Sequence, residues 1–236
     1  MPRIHALIPA AGRSVRFGGT TVKQYTHLLG KPVLGHSIDA VRRSKAVLSV
    51  TVALADDDGI FEELMRPSYP AVRTAVGGAT RAQTVMNGVD QILEQDPSCE
   101  WVLVHDAARP CLSRDALVRL LREGLQCQDG AILAVPVHDT LKIADASARI
   151  EKTADRTRYW AAQTPQLFPA RELAANLAAA LDAGESPTDE VAAMERGGAR
   201  PLLVGPDRES EQWVQAAASV GGLEYVVADK TRRGDR

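Results

Sequence analysis

The residues best suited to chemistry lie in a short loop near the N-terminus, where small residues precede two basic side chains. The apolar run Ile4–Ile8 predicts a strand, and it is followed at once by Pro9, Ala10, Ala11 and Gly12. Successive backbone N–H groups in such a turn can bind phosphate oxygens, because no bulky side chain keeps the ligand away. Arg16 and Lys23 can then neutralise the charge of a triphosphate. The run therefore predicts a nucleotide site at the first strand-to-loop junction.

The spacing of this loop argues against two familiar kinds of nucleotide site. It is not the Gly-x-Gly-x-x-Gly of dinucleotide-binding folds, and it lacks the Gly-Lys-Ser/Thr of the common phosphate loop. Binding of NAD-like cofactors and the usual ATPase mechanism are therefore disfavoured.

A second candidate group follows the run Trp101–His105, which also predicts a buried strand. Asp106 would lie at the carboxyl end of that strand, where a carboxylate suits a magnesium ion or the hydroxyl groups of a ligand. Arg109 offers a fork of donors to a phosphate. A purely structural Asp–Arg pair is the alternative interpretation of the same two residues.

Two further segments have the residue types of binding loops. The glycines of residues 77–80 (Gly-Gly-Ala-Thr) allow close backbone approach, and the threonine can cap a helix that begins at Arg81. Residues 163–166 (Gln-Thr-Pro-Gln) precede residues 187–190 (Pro-Thr-Asp-Glu), a pattern that begins another helix. Residues 77–80 and 187–190, each taken alone, also fit a plain turn with a capped helix.

Short apolar runs alternate with amphipathic stretches along the chain. Strands are expected at Ile4–Ile8, Ser49–Ala55, Trp101–His105 and Ala131–Val137. Helices are expected at Val33–Lys45, Arg81–Glu94, Arg114–Gln126, Arg171–Ala183 and Glu190–Arg196. Apolar strands that alternate with helices predict a doubly wound, mostly parallel α/β sheet covered on both faces. Ligands of such sheets bind outside the carboxyl ends of the strands, where Pro9 and Asp106 both fall.

Residues 137–160 interrupt this alternation. They carry charge, threonine and short β-prone pieces without helical periodicity. We expect an arm that leaves the core and contacts another subunit, within a single domain spanning residues 1–236. For Arg156, which lies on this arm, a plain interface ion pair is the alternative to a role in the site.

The composition is that of an ordinary globular protein, with 45% hydrophobic residues among 236 and a formal net charge of −2. No global positive field recruits nucleic acid or an anionic membrane, so any anion site must be local. The cysteines are odd in number and lack metal-ligand spacing, which favours a reduced, cytoplasmic protein. Neither a signal peptide nor a membrane-spanning segment is expected, because Pro9 and Gly12 interrupt the first apolar run.

Together these motifs resemble the family of 2-C-methyl-D-erythritol 4-phosphate cytidylyltransferases, from about residue 4 to about residue 205. The motifs that carry the resemblance are Pro9-Ala10-Ala11-Gly12, Arg16, Lys23-Gln24-Tyr25, Gly77-Gly78-Ala79-Thr80-Arg81, His105-Asp106-Ala107-Ala108-Arg109-Pro110, Pro136-Val137-His138-Asp139-Thr140, Thr164-Pro165-Gln166 and Thr188-Asp189-Glu190. The resemblance implies a Rossmann-like sheet of the nucleotidyltransferase type with a protruding β-arm used for dimerisation. It also implies transfer of a cytidylyl group from CTP to the polyol phosphate, in non-mevalonate isoprenoid synthesis.

The resemblance further implies a role for each group of residues. Arg16 and Lys23 would stabilise the triphosphate as its α-phosphorus is attacked. Cytidine would be held by Pro9, Ala10, Ala11, Gly12, Gly78, Ala79 and Thr84. The acceptor would contact Asp106, Arg109 and Thr164, together with Thr140 and Arg156 from the other subunit of a homodimer with exchanged arms. Magnesium would be the cofactor, with Asp106 as its candidate ligand.

Three positions depart from the family pattern. Ser14 replaces a glycine of the first loop, and Val22 stands where a proline usually precedes the lysine. The C-terminal lysine that helps to position the sugar phosphate falls, by ungapped count, on Gln212, which cannot supply the missing cation. Either segment 209–222 has diverged, with weakened activity, or the recorded gene contains compensating frame changes.

Three alternatives to this function are compatible with parts of the sequence. A ribitol-5-phosphate cytidylyltransferase would share the cytidine half of the site and differ at the arm and around Thr164. A sugar-acid cytidylyltransferase is disfavoured, because its acceptor lacks the phosphate that Arg109 and Arg156 are expected to bind. A nucleotide-binding homologue with impaired catalysis is supported only by the missing lysine.

Overall fold

The computed structural model describes residues 2–12 and 22–205 of this chain. The strands in this part are β1 (Ile4–Pro9), β2 (His27–Leu28), β3 (Lys31–Pro32), β4 (Val47–Leu54), β5 (Arg73–Val76), β6 (Trp101–Val104), β7 (Ala131–Pro136), β8 (Lys142–Ala144), β9 (Ile150–Thr153), β10 (Trp160–Pro169) and β11 (Leu202–Val204). Seven of them form one sheet in the order β5-β4-β1-β6-β10-β7-β11. All neighbours in this sheet are parallel except β10, which runs antiparallel to both β6 and β7. The predicted mostly parallel sheet is confirmed.

The order of the strands places a topological switch point beside β1. From β1 the chain builds outward through β4 to β5, then returns to place β6 on the opposite side of β1. In open α/β sheets, ligands bind in the crevice that such a reversal leaves at the carboxyl ends of the strands. The loops after β1 and β6 both open into this crevice.

The helices of the described residues are α1 (Val33–Arg42), α2 (Arg81–Gln95), α3 (Arg114–Gly124), α4 (Ala170–Asp182) and α5 (Glu190–Arg196). Three of these helices are capped at the N-terminus by a side-chain oxygen. Thr80 accepts a hydrogen bond from the Gln83 N–H at the start of α2, and Ser113 and Asp189 act alike for α3 and α5. Such caps satisfy backbone donors that the first helical turn leaves unpaired. The capping predicted at Thr80 is confirmed, and of Thr188 and Asp189 it is Asp189 that caps.

The helices cover both faces of the sheet, as the continuous apolar strands predict. On one face α1 and α3 pack through leucine and isoleucine side chains such as Ile38 and Leu117. On the other face α2, α4 and α5 pack through residues that include Val89 and Leu177. Apolar side chains three or four positions apart along each helix supply these contacts. All four predicted strands and five predicted helices are present, with ends displaced by up to three residues.

Residues 137–160, the predicted arm, lie partly outside the main sheet, whereas Trp160 is already the first residue of β10. Within them β8 and β9 pair as an antiparallel ribbon that is not part of the main sheet, and every residue of both strands is exposed. The use of this arm in a dimer stays a prediction. In the part of the chain that the structure describes, no helix combines the length and apolar character needed to cross a bilayer.

Candidate active site

Three loops leave the carboxyl ends of β1, β5 and β6 side by side. Backbone hydrogen bonds extend the sheet into them: the Gly77 N–H donates to the carbonyl oxygen of Leu54 at 2.7 Å, and the His105 N–H to that of Leu7 at 2.9 Å. We name them the alanine loop (residues 9–12), the glycine loop (residues 77–80) and the aspartate loop (residues 105–110).

The buried side chain of Gln24 holds the alanine loop in place. The side-chain amide of Gln24 donates to the carbonyl oxygen of Ala10 at 2.8 Å and approaches that of Gly12 at 3.4 Å. Gln24 is only 3% exposed, so these bonds are shielded from water. Its neighbour Lys23 is partly exposed and follows the alanine loop in the chain, and its backbone adjoins the residue that holds this loop. Arg16, the other predicted catalytic cation, lies outside the described residues.

The glycine loop lies against the alanine loop with no room for a side chain between them. A Cβ atom added to Gly77 would lie 2.6 Å from the Cβ of Ala11. This contact requires glycine and holds two of the predicted cytidine-binding segments together. Gly78 and Ala79 follow in the same loop, where Gly78 is partly exposed and Ala79 exposed.

Thr84, also predicted to hold cytidine, lies beneath the glycine loop rather than on its surface. Its side chain is buried, and its hydroxyl accepts from the Gly78 N–H at 3.0 Å and donates to the carbonyl oxygen of Thr80 at 2.9 Å. The hydroxyl is thus already engaged within the loop. Any effect of Thr84 on a ligand passes through the shape that it imposes on Gly78.

The aspartate loop carries a carboxylate held between two guanidinium groups. Asp106 Oδ1 accepts from Arg81 Nη2 at 3.0 Å, and Oδ2 accepts from Arg109 Nε at 3.0 Å. Arg81 also forms a bidentate pair with Glu190, with distances of 2.5 and 3.0 Å. Arg109 donates to the side-chain oxygen of Gln163. Two cations therefore balance two anions beside the cleft.

Burial and pairing act in opposite directions on these carboxyl groups. Burial alone would raise the pKa of Asp106, but the charges of Arg81 and Arg109 outweigh it and lower the pKa below its usual range. Asp106 is thus ionised at neutral pH. Burial raises the pKa of Glu190, which is 1% exposed, against the lowering effect of Arg81.

A buried histidine links the aspartate loop to β10. His105 Nε2 lies 3.0 Å from the carbonyl oxygen of Arg109, and Nδ1 lies 3.0 Å from the hydroxyl of Thr164. A carbonyl can only accept, so Nε2 carries the proton and Nδ1 accepts from Thr164. The Thr164 oxygen in turn accepts from the Asp106 N–H at 3.1 Å. Burial lowers the pKa of His105 to about 4, which keeps the ring neutral at neutral pH.

An open cleft of about 220 Å³ adjoins these residues. Three of the predicted acceptor-binding residues line it: Asp106, Arg109 and Thr164. Its volume is below the roughly 300 Å³ at which pockets for drug-sized ligands begin, so it suits a small polar ligand.

Two other predicted acceptor-binding residues lie elsewhere. Thr140 and Arg156 are exposed on the arm, and the Arg156 guanidinium donates to the carbonyl oxygen of His138. The structure of one chain therefore does not bring them to the cleft. Gln212, the last predicted acceptor contact, lies outside the described residues.

The described residues do not fit a metal ion held by the protein. No three His, Cys, Asp or Glu side chains within residues 2–12 and 22–205 are grouped to hold one. Both oxygens of Asp106, the predicted metal ligand, already accept from guanidinium groups whose positive charge opposes a cation there.

Sequence reasoning gave no role to several residues that build this site. Gln24, Arg81 and Glu190 each belong to a motif that was identified, but only the neighbours within each motif were assigned a function. Their signal is a polar side chain beside a binding loop, and the fold buries Gln24 and Glu190 and partly buries Arg81. Gln166 is a further example, since it is 1% exposed and bonded to the start of α5.

Comparison with known proteins supports the family resemblance that the motifs carry. Residues 4–211 match the model of the family IspD, described as 2-C-methyl-D-erythritol 4-phosphate cytidylyltransferase. The protein of that name from Tolumonas auensis is 41% identical over 204 residues, covering 86% of this chain and 88% of its own. The one from Xanthomonas campestris pv. campestris is 42% identical over 231 residues, covering 98% and 87%.

A solved structure confirms the fold. The crystal structure described as 4-diphosphocytidyl-2C-methyl-D-erythritol synthase superposes with a TM-score of 0.75 at 41% identity. The match covers 88% of this chain and 90% of that chain. The family match over most of the sequence, the relatives above 40% identity and the shared fold agree, and this chain belongs to the 2-C-methyl-D-erythritol 4-phosphate cytidylyltransferase family.

Proposed function

We propose that this chain transfers the cytidylyl group of CTP to 2-C-methyl-D-erythritol 4-phosphate, a step of non-mevalonate isoprenoid synthesis. The products are 4-diphosphocytidyl-2-C-methyl-D-erythritol and pyrophosphate. The observation that carries the proposal is that a chain of this family has Asp106 and Arg109 bonded to each other in a cleft near the alanine loop.

The reaction is a direct displacement. An oxygen of the acceptor phosphate attacks the α-phosphorus of CTP, a new P–O bond forms, and the bond to the pyrophosphate leaving group breaks. The second pKa of a phosphate monoester is about 6, so the attacking group is largely a dianion at neutral pH and needs no general base. The barrier lies in bringing two polyanions together in line, which positioned cations lower.

The described residues divide between the two reactants. Lys23, with Arg16, would stabilise the triphosphate, and the alanine and glycine loops would hold the cytidine through Pro9, Ala10, Ala11, Gly12, Gly78 and Ala79, with Thr84 beneath them. Asp106 would bind acceptor hydroxyls and Arg109 its phosphate. Thr164, whose hydroxyl is already bonded to His105 and the Asp106 N–H, would shape the acceptor site. Gln212 would be a further contact of the acceptor.

Magnesium is the cofactor that we propose for this reaction. Mg²⁺ commonly binds through substrate phosphates with few protein ligands, which agrees with a site that does not fit a resident ion. When bound to the triphosphate it would neutralise charge around the α-phosphorus. The odd number of cysteines supports the cytoplasm as the compartment.

A homodimer with exchanged arms would complete the site. Four large hydrophobic side chains are exposed on or beside the ribbon: Ile143, Ile150, Tyr159 and Trp160. Their burial against a second copy would bring Thr140 and Arg156 to the partner's cleft.

Mixing two inactive variants tests this exchange. Lys23→Ala and Arg156→Ala, refolded together, should recover about a quarter of wild-type activity, because half of the dimers formed at random contain one intact site. Each variant refolded alone is the control. No recovery would show that Arg156 acts in its own chain or not at all.

The function itself is tested by pyrophosphate release. The full-length protein with CTP and Mg²⁺ should release pyrophosphate only when 2-C-methyl-D-erythritol 4-phosphate is added, and EDTA should stop the release. Ribitol 5-phosphate is the matched acceptor control. Release with ribitol 5-phosphate but not with 2-C-methyl-D-erythritol 4-phosphate would show that ribitol 5-phosphate is the acceptor. Binding of CTP without release in either assay would identify a homologue with impaired catalysis.

A further inference from the structure

Arg81 and Glu190 form an ion pair beside the cleft, in which the Glu190 side chain is buried and the Arg81 side chain is 33% exposed. Neither residue has a role in the proposed reaction so far. Arg81 is the first residue of α2 and Glu190 the first residue of α5. Both oxygens of Glu190 accept from Arg81, which uses the same Nη2 atom to reach Asp106 at 3.0 Å. Arg81 therefore connects α5 to the carboxylate proposed to bind the acceptor.

A second buried side chain fixes the position of Glu190. The Gln166 amide nitrogen donates to Asp189 Oδ2 at 3.1 Å, and its oxygen accepts from the Val191 N–H at 3.1 Å. Glu190 lies between these two residues and is itself 1% exposed. The start of α5 is thus fastened to β10, and Glu190 has little freedom to move away from Arg81.

The two guanidinium groups that hold Asp106 are not equivalent. Arg81 is bound on its far side by a buried carboxylate, which fixes the orientation of its planar fork. Arg109 is 44% exposed and its other partner is the neutral side chain of Gln163. Arg109 can therefore turn toward an incoming phosphate, whereas Arg81 is held in place.

We propose that Glu190, acting through Arg81, is a positioning residue that keeps Asp106 fixed while Arg109 moves from Asp106 to the acceptor phosphate. Without Arg81, the departure of Arg109 would leave an unpaired carboxylate beside a phosphate dianion, and the two would repel each other. Glu190 also neutralises Arg81, so Arg81 does not compete with Arg109 for the phosphate. This inference rests on the proposed function of the cleft.

The substitution Glu190→Gln tests the proposal because it keeps the shape of the side chain and removes its charge. The amide can accept from Arg81 with only one atom, so the bidentate pair is lost. The KM for 2-C-methyl-D-erythritol 4-phosphate should rise roughly tenfold or more, while the KM for CTP stays within about twofold. Glu190→Asp, which keeps the charge, should give a smaller rise. Arg81→Lys, which keeps the cation but loses the fork, should give the same selective rise as Glu190→Gln.

Ala193→Gly is the matched control, since it weakens the same short helix without touching Arg81. A merely structural role for Glu190 predicts that both substitutions lower thermal stability and change the two KM values together, and that result would overturn the proposal. An unchanged acceptor KM in Glu190→Gln and Arg81→Lys would overturn it as well.

The crystal structure of Glu190→Gln provides a readout that needs no turnover. The Arg81 Nη2 to Asp106 Oδ1 contact, 3.0 Å in the wild-type protein, should be broken or shifted. If the wild-type protein used another polyol phosphate, the proposed function would fail, yet the same KM comparison with that acceptor would still decide the role of Glu190. A preserved contact with an unchanged acceptor KM contradicts the inference alone.

Discussion

Lys23→Ala is expected to lower kcat by about 10²–10³-fold while the thermal stability of the protein stays close to that of the wild type. Negative charge accumulates on the leaving pyrophosphate as its bond to the α-phosphorus breaks. A positioned cation stabilises that charge more in the transition state than in the bound substrate, so its removal affects turnover first.

The structure gives this expectation a specific reason. Gln24, buried and bonded to the carbonyl oxygen of Ala10, fixes the backbone from which Lys23 projects. The backbone of Lys23 is therefore fixed relative to the alanine loop before the substrate arrives. The alanine substitution removes the charge but leaves Gln24 and the loop in place, so CTP should still bind.

Steady-state kinetics with both substrates and a thermal melt measure the effect of Lys23→Ala. Lys45→Ala is the matched control, because Lys45 is an exposed lysine beyond the end of α1. Near-normal turnover in Lys23→Ala would contradict the assignment of this lysine. The same kinetic loss is predicted for Arg16→Ala from the sequence alone.

The core of the fold was predictable because it depends on local patterns. Runs such as Val102 to Val104 are continuous and apolar, which is typical of strands buried on both faces. The helices have apolar side chains at the spacing of one face, and polar caps mark where they begin. These features are properties of short segments and need no knowledge of distant contacts.

The strands that were missed lack those patterns. In β5 only Ala75 is buried, and the three residues of β11 are too few for a pattern. In β10 the pairing with β7 is interrupted between Ala162 and Gln166, where Pro165 has no N–H to donate. That interruption turns Gln163 and Thr164 toward the cleft, so the irregularity that hid the strand also builds the site.

The site was predictable only in part for a related reason. Asp106 and Arg109 lie three positions apart, so their pairing follows from the sequence. The bond from Arg81 to Glu190 joins residues 109 positions apart, and no short motif reveals which of the many charged residues will meet. Motifs thus identified the loops, while the fold decided which side chains of each motif face the cleft and which support it.

Arg109→Lys is expected to raise the KM for the acceptor by roughly 10–100-fold and to leave the KM for CTP within about twofold. The lysine keeps the positive charge but loses the planar fork. In the free protein that fork bonds to Asp106 through Nε at 3.0 Å and to Gln163 through Nη1. A single ammonium cannot replace two parallel donors on a phosphate, so the loss should appear in acceptor binding.

This substitution also decides between the two interpretations that the sequence left open for Asp106 and Arg109. A purely structural pair would make Arg109→Lys lower the melting temperature and change all kinetic constants together. A phosphate-binding arginine changes the acceptor KM alone, because Arg81 continues to hold Asp106. Arg122→Lys on α3, which removes an exposed arginine paired with Glu123, controls for the general effect of the exchange. Equal rises in both KM values for Arg109→Lys would refute the acceptor role, since CTP is expected to bind at the alanine and glycine loops.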